Sequence, residues 1–221
     1  MRRAEMITRA GHPTHPPGRA PHPPTTWPPL ARAGRRACRR GDTVSVSAGM
    51  IPFQAAGEKP TYTLRIYPPF PSAATTYTNR GSAYLALGSY MSGENASGTR
   101  FPETQPILMH YDYARGDTPE EKEMLVYLEG GDETGAPPAP TDPSVRLDVG
   151  GGELIAAVKF DGNATQEACE RYYLRLLETL KADVGSAAVP ADDRITFTLA
   201  QYGPLHSLTP RLNEVWIRVK L

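Results

Sequence analysis

From Thr61 onward, apolar and polar positions follow a pattern of strand, helix, strand, strand, and the pattern then repeats. Tyr62-Thr63-Leu64-Arg65-Ile66-Tyr67 alternates with period two, as a half-buried strand does. Pro68, Pro69 and Pro71 interrupt it, and an extended edge resumes over Ala73–Thr78. Residues 80–92 carry Ala83, Tyr84, Leu87 and Met91 on adjacent faces of a short helix, which Gly81 and Gly88 weaken by about 1 kcal/mol each. Ile107–Tyr113 and Glu123–Leu128 read as strands around a turn at Gly116-Asp117-Thr118-Pro119.

A Gly/Pro-rich connector, Glu129–Ser144, divides the halves. Strands are predicted over Val145–Val149 and Glu153–Phe160. The clearest helix follows over Gln166–Ala182, with Cys169, Tyr172, Tyr173, Leu176, Leu177 and Leu180 on one stripe and Asn163 or Thr165 as its cap. Strands Arg194–Gln201 and Glu214–Val219, joined by a long loop at Tyr202–Asn213, close the chain. Each half makes a small antiparallel sheet with one helix across it and cannot bury both faces alone. The expected fold is therefore α+β: two pseudo-repeated halves forming a twisted antiparallel sheet or distorted β-barrel flanked by two helices.

Composition changes the picture mainly at the front. Residues 1–50 hold nine Arg, no Lys and two acids, against 15 Lys+Arg and 22 acids in the remainder, so a net charge of zero hides a basic leader on an acidic body. An acidic body argues against a nucleic-acid partner, because phosphate binding needs a basic surface. No run approaches the roughly 18 apolar residues of a membrane span, which points to a soluble protein. Prolines 13, 16, 17, 21, 23, 24, 28 and 29 forbid regular structure in the leader. An Arg-, Pro- and Ala-rich segment that nearly lacks acids, with no apolar signal core, suits an organelle transit peptide. Val46-Ser47-Ala48 is similar to the Val-x-Ala processing motif of plastid transit peptides. Residues 1–48 are thus expected to be a plastid address or an attached basic tail, with the folded domain over 58–221.

Five segments, in order and at similar spacing, resemble the SOUL haem-binding family. Tyr62-Thr63-Leu64-Arg65-Ile66-Tyr67-Pro68-Pro69 resembles its opening strand, and Tyr90-Met91-Ser92-Gly93-Glu94-Asn95 the end of its first helix. The Pro137–Val145 stretch resembles its proline-rich connector, and Phe160-Asp161-Gly162-Asn163-Ala164-Thr165 the entry to its second helix. Tyr202-Gly203-Pro204 followed by Asn213-Glu214-Val215-Trp216 resembles its ending. Two departures matter. Glu103 stands where a flexible apolar side chain is usual, and Ile66 stands where some members carry an iron-ligating histidine.

The resemblance implies non-covalent binding of haem or another tetrapyrrole in an apolar groove between the first helix and the loop joining the last two strands. Tyr84, Gly88 and Met91 would line that groove, or else be core contacts. His206 in the loop is the candidate axial ligand, or a surface histidine. His110, beside Leu108 and Met109 in a strand, is a weaker candidate that faces either core or groove. Arg211, and more weakly Arg80, would meet a propionate or stand in solvent. Cys169 on its apolar stripe reads as a small buried hydrophobe. The sequence shows no Ser/His/Asp set and no Cys/His metal spacing, so a binding protein is favoured over an enzyme. Two other readings stay open: a docking module of the same fold that has lost haem, or an enzyme using Glu94 or Glu103 as acid or base on a bound tetrapyrrole.

Overall fold

The computed structural model describes residues 44–45, 49–119, 122–130, 136–203 and 211–220. Ten strands and two helices follow one another as β1 (Val44–Ser45), β2 (Phe53–Glu58), β3 (Thr63–Tyr67), β4 (Phe70–Tyr77), α1 (Arg80–Met91), β5 (Ile107–Ala114), β6 (Lys122–Tyr127), β7 (Arg146–Gly150), β8 (Glu153–Asp161), α2 (Gln166–Val184), β9 (Arg194–Gln201) and β10 (Leu212–Val219). All strands join one antiparallel sheet in the order β1-β2-β3-β8-β10-β9-β5-β6-β4-β7. The sheet curls, and the expected architecture of two repeated halves with two helices is the one observed.

The repeat is a pseudo-two-fold about the β5·β9 pair. The order β7-β4-β6-β5 on one side mirrors β3-β8-β10-β9 on the other. The first strand of each half is exchanged: β3 pairs with β8 of the second half, and β7 pairs with β4 of the first. Register obeys the same symmetry. The pair Thr63–Ala157 becomes Arg146–Ala74 when 83 is added to 63 and subtracted from 157.

Exchange forces two chain connections to pass one another. After β3 the chain turns at Pro68-Pro69, and after β7 it turns at Gly151-Gly152, whose Gly152 N–H donates to Tyr67 O. A Cβ on Gly151 would lie 2.3 Å from Pro68 O, and one on Gly150 would lie 2.4 Å from the Phe70 ring. Gly151 also has φ +77°, a conformation that L side chains rarely adopt. Only glycine fits where the two connections cross.

Both helices lie on one face of the sheet, α1 over β4 and β6, and α2 over β10 and β9. That face holds the larger core: Ala83, Leu87 and Tyr90 of α1, Tyr173, Leu176, Leu177 and Leu180 of α2, and Met109, Tyr111, Phe197, Leu199, Val215 and Ile217 beneath them. Each such large side chain contributes about 1.5–3 kcal/mol on burial. The helix-free face carries a second cluster, with Tyr67, Phe70, Leu108, Leu125, Ile155 and Trp216. β2 was not anticipated by the sequence reading. Its side chains are half-buried at Phe53 and exposed from Gln54 to Glu58, so no alternation marks it. No helix among the described residues is long and apolar enough to cross a membrane.

Candidate functional site

Helix α1 starts where Asn79, in extended conformation, accepts a hydrogen bond from Gly81 N at 2.7 Å. It buries Ala83, Leu87 and Tyr90 against the sheet. Its other side is unusual. Beyond Arg80 the helix has no charged residue, whereas a surface helix normally presents charge to water. Leu85 is 71% exposed, Gly88 is exposed, and Tyr84 and Met91 are half-buried. A Cβ on Gly88 would meet nothing within 4 Å, so bare backbone faces open space there. Leu85 lies three residues from Gly88, Tyr84 four and Met91 three, so these positions form one outward apolar strip.

Cations flank the strip. The Tyr84 hydroxyl donates to Gln201 Oε1 at 3.3 Å and also lies in hydrogen-bonding contact with the Arg211 guanidinium. Burial raises the Tyr84 pKa, against the opposing pull of Arg80 and Arg211. Arg80 donates from Nη2 to the Tyr111 hydroxyl at 2.9 Å and makes no carboxylate ion pair among the described residues. The Tyr77 hydroxyl lies buried beside both groups and makes no well-formed hydrogen bond. Arg211 is held from behind: Asn213 Nδ2 donates to its carbonyl at 3.2 Å and to Gly162 O at 2.9 Å, while Asn213 Oδ1 accepts from Gln201 Nε2 at 3.0 Å. The start of β10 is thereby fixed to the end of β9, and Arg211 is brought to Tyr84.

Tyr84, Gly88, Met91 and Arg211 therefore share one surface, with Arg80 at its end. His206 lies outside the described residues. His110 is elsewhere. Met109 and Tyr111 face the helices, so His110, like Leu108, projects from the helix-free face. There its Nδ1 is 2.6 Å from Thr198 Oγ1, and burial lowers its pKa, partly offset by Glu123. It does not line the α1 surface. Ile66 lies on β3, on the opposite wing of the sheet from α1, and is 40% exposed. Cys169 is buried, and burial raises its thiol pKa to about 11. Leu85, Gln201 and Tyr111 were missed by sequence reading. The absence of any acid in the first helix was the available signal for Leu85.

A second polar centre sits on the helix-free face. Arg65 donates from Nη1 and Nη2 to the two oxygens of Glu214, both at 2.8 Å. Glu214 Oε2 also accepts from the Tyr202 hydroxyl at 2.9 Å and from Trp216 Nε1 at 2.8 Å. Arg65 donates further to the Tyr67 hydroxyl and stands over the Phe53 ring, while Tyr67 stacks on Trp216 with centroids 4.8 Å apart. Every group in this centre has a partner. Its residues come largely from the opening and closing segments that carry the family resemblance, and they tie β3 to β10 across β8.

Among the described residues no group of three or more His, Cys, Asp or Glu side chains is placed to hold a metal ion. The α1 surface instead sets an apolar strip beside the guanidinium groups of Arg80 and Arg211.

Comparison with known proteins bears on the fold and the family. A hydrolase from Listeria innocua is similar in structure, with a TM-score of 0.50 and 8% identity over 75% of this chain and 94% of its own. The EcmrR C-terminal domain gives a TM-score of 0.49 and 12% identity over 76% of this chain and 98% of its own. At 8% identity the likeness to the hydrolase shows the fold alone. No curated protein matches the chain. The family described as "SOUL heme-binding protein" matches residues 50–218, most of the described chain, and the protein belongs to that family.

Proposed function

We propose that this protein binds haem or a related tetrapyrrole, non-covalently, on the outward face of α1 beside the returning end of the β9–β10 loop. The observation that carries the reading is the apolar strip of α1, with Leu85 and Gly88 exposed and Tyr84 and Met91 half-buried beside them, on a helix whose one charge is Arg80. An exposed apolar helix face costs solubility unless something covers it. Arg80 and Arg211 supply cations of the kind that propionates need, and the family suggests the ligand class. The role is that of a carrier, buffer or sensor, with His206 as the candidate axial ligand.

Hemin titration of the full chain tests this. A sharp, shifted Soret band with micromolar affinity is expected, weakened by Leu85→Glu. A spectrum no different from that of an unrelated control protein overturns the reading. Such a result would favour a docking module of the same fold, a reading that Ile66 supports by standing where some members carry the iron-ligating histidine.

The basic leader supports a plastid address for this function. Residues 1–60 fused to a fluorescent protein should enter plastids of a photosynthetic microbe, and cytosolic fluorescence would dismiss it.

A further inference from the structure

A cleft of about 190 Å³ lies along α2, lined by Thr61, Val158, Tyr172, Arg175, Leu176 and Thr179. It is well away from α1, and it is smaller than the roughly 300 Å³ at which small-molecule pockets begin, so a tetrapyrrole does not fit. Its floor is apolar and its rim is an aromatic ring with a cation. Tyr172 stacks on Phe160 at 4.5 Å, Arg171 lies over the same ring, and neither the Tyr172 hydroxyl nor the Arg175 guanidinium has a hydrogen bond or ion pair among the described residues.

The pseudo-two-fold relates this cleft to a filled region of the first half. The caps Asn79 and Thr165 correspond, so Leu176, eleven residues past its cap, corresponds to Tyr90, eleven past the other. Adding 83 takes Thr61 to Ser144, and subtracting 83 takes Val158 to Thr75. In the first half this region is filled by the proline-rich connector. Pro137 and Pro138 are buried there, the Tyr90 hydroxyl donates to Pro138 O at 2.8 Å, and Ala96 N donates to Ala139 O at 2.9 Å. The segment in the matching position of the second half is residues 54–61, and it leaves to pair with β3 as β2. The second-half surface therefore lacks the proline-rich segment that covers its twin.

From this we infer that the α2 cleft docks a proline-rich extended segment, and that the occupant in the full chain is the chain's own residues 13–29. An extended proline segment has no internal hydrogen bonds, so its carbonyls are open to a donor such as Tyr172, and aromatic-lined grooves recognise it at low entropic cost. Residues 13–29 hold Pro13, Pro16, Pro17, Pro21, Pro23, Pro24, Pro28 and Pro29, matching the chemistry of the connector. Reach is sufficient. The described chain begins at Val44, paired with Gln54, and the run from Gln54 to Thr61 spans at most about 25 Å. Residues 30–43 can span roughly 45 Å. A tether of this length gives an effective concentration of order millimolar, so weak docking is enough.

The test uses full-length Cys38→Ser/Thr179→Cys protein and follows the rate of thiol labelling at residue 179, with buried Cys169 as the internal control for unfolding. Replacing the eight prolines of residues 13–29 by Ala should speed labelling several-fold and leave Cys169 unreactive. Equal rates in the two proteins overturn the proposal. Labelling that speeds on dilution of the proline-containing protein also overturns it, since that behaviour belongs to a second copy as occupant. Tyr172→Ala in the proline-containing protein should raise the rate as the proline replacements do, and an unchanged rate there removes the cleft as the docking site.

Discussion

Arg65 and Glu214, 149 residues apart in the chain, meet in a two-bond ion pair that joins the first strand of one half to the last strand of the other through β8. Arg65 is 6% exposed and Glu214 1%. Both ions have been taken out of water, so the pair adds little stability compared with a well-packed apolar pair, but losing one partner strands the other. Glu214→Ala should destabilise the protein by about 3–5 kcal/mol in urea unfolding, and Arg65→Met/Glu214→Leu should recover much of that loss. A double variant as unstable as the single one would show that the pair does more than satisfy itself.

The same pair predicts a pH dependence. Burial alone would raise the Glu214 pKa, but the bonds from Arg65, Trp216 and Tyr202 outweigh it and hold the carboxyl below its usual value. A carboxylate with a depressed folded pKa contributes stability above its unfolded pKa, near 4.3, and loses it as pH falls through the lower folded value. Stability should therefore drop on acidification below about pH 4.3. Glu214→Gln, compared with the parent at each pH by urea unfolding, should flatten that limb. An unchanged slope would place the acid sensitivity in other carboxylates.

The crossing of the two chain connections makes a separate prediction. Gly151→Ala meets both a positive φ and Pro68 O at 2.3 Å, whereas Gly116→Ala meets only a positive φ, with open space around it. Backbone strain alone costs about 1–3 kcal/mol. Gly116→Ala should stay within that range, and Gly151→Ala should exceed it, read as melting temperatures of the two variants. Equal losses would mean that the connections can part without cost.

Most of the fold was legible because one face of nearly every strand and helix is buried, which writes its period into the sequence. The failures have identifiable causes. β2 exposes nearly all its side chains, so it carries no period. Pro71 argued against a strand, yet it lies inside β4, at a position paired only with Val149, because β6 joins from Ser72 onward. Arg65 alternates with apolar neighbours and reads as a solvent-facing position, but the helix-free face is covered too. Alternation told which residues share a face with His110, not which face the helices occupy. On α1, helical spacing named Ala83, Tyr84, Leu87 and Met91, and only the family resemblance pointed to an outward face of Tyr84, Gly88 and Met91. The Arg211 contact depends on Asn213 bridging Gln201 and Gly162, a tertiary bond that no local pattern encodes.

The α1 strip predicts that bulk or charge there blocks the ligand without harming the fold. Gly88 is exposed and a side chain would meet no neighbour, so Gly88→Trp should melt within a few degrees of the parent. It should weaken hemin about tenfold or more, a loss of about 1.4 kcal/mol. Arg80→Met and Arg211→Met should instead erase a preference for hemin over its dimethyl ester, because only the free acid offers carboxylates to the guanidinium groups. Absorbance titrations with both ligands separate the two effects.

His110 and His206 give opposite expectations for the iron. His110 projects from the face that carries Leu108, Leu125 and Trp216, with the sheet between it and α1. Its Nδ1 is engaged with Thr198, and burial keeps the ring neutral to lower pH than a free imidazole. His110→Ala should leave the Soret maximum of bound hemin and its affinity unchanged. Its effect falls on stability instead, since the Thr198 hydroxyl loses its partner, at about 1–3 kcal/mol. A folded pKa below the unfolded one means that the parent loses stability as pH falls from about 6.5, while the alanine variant loses that part of the dependence. His206→Ala should shift the Soret band, and an unchanged band would remove this residue as the axial ligand. A His110→Ala protein with an altered haem spectrum would place the ligand on the helix-free face and overturn the assignment to α1.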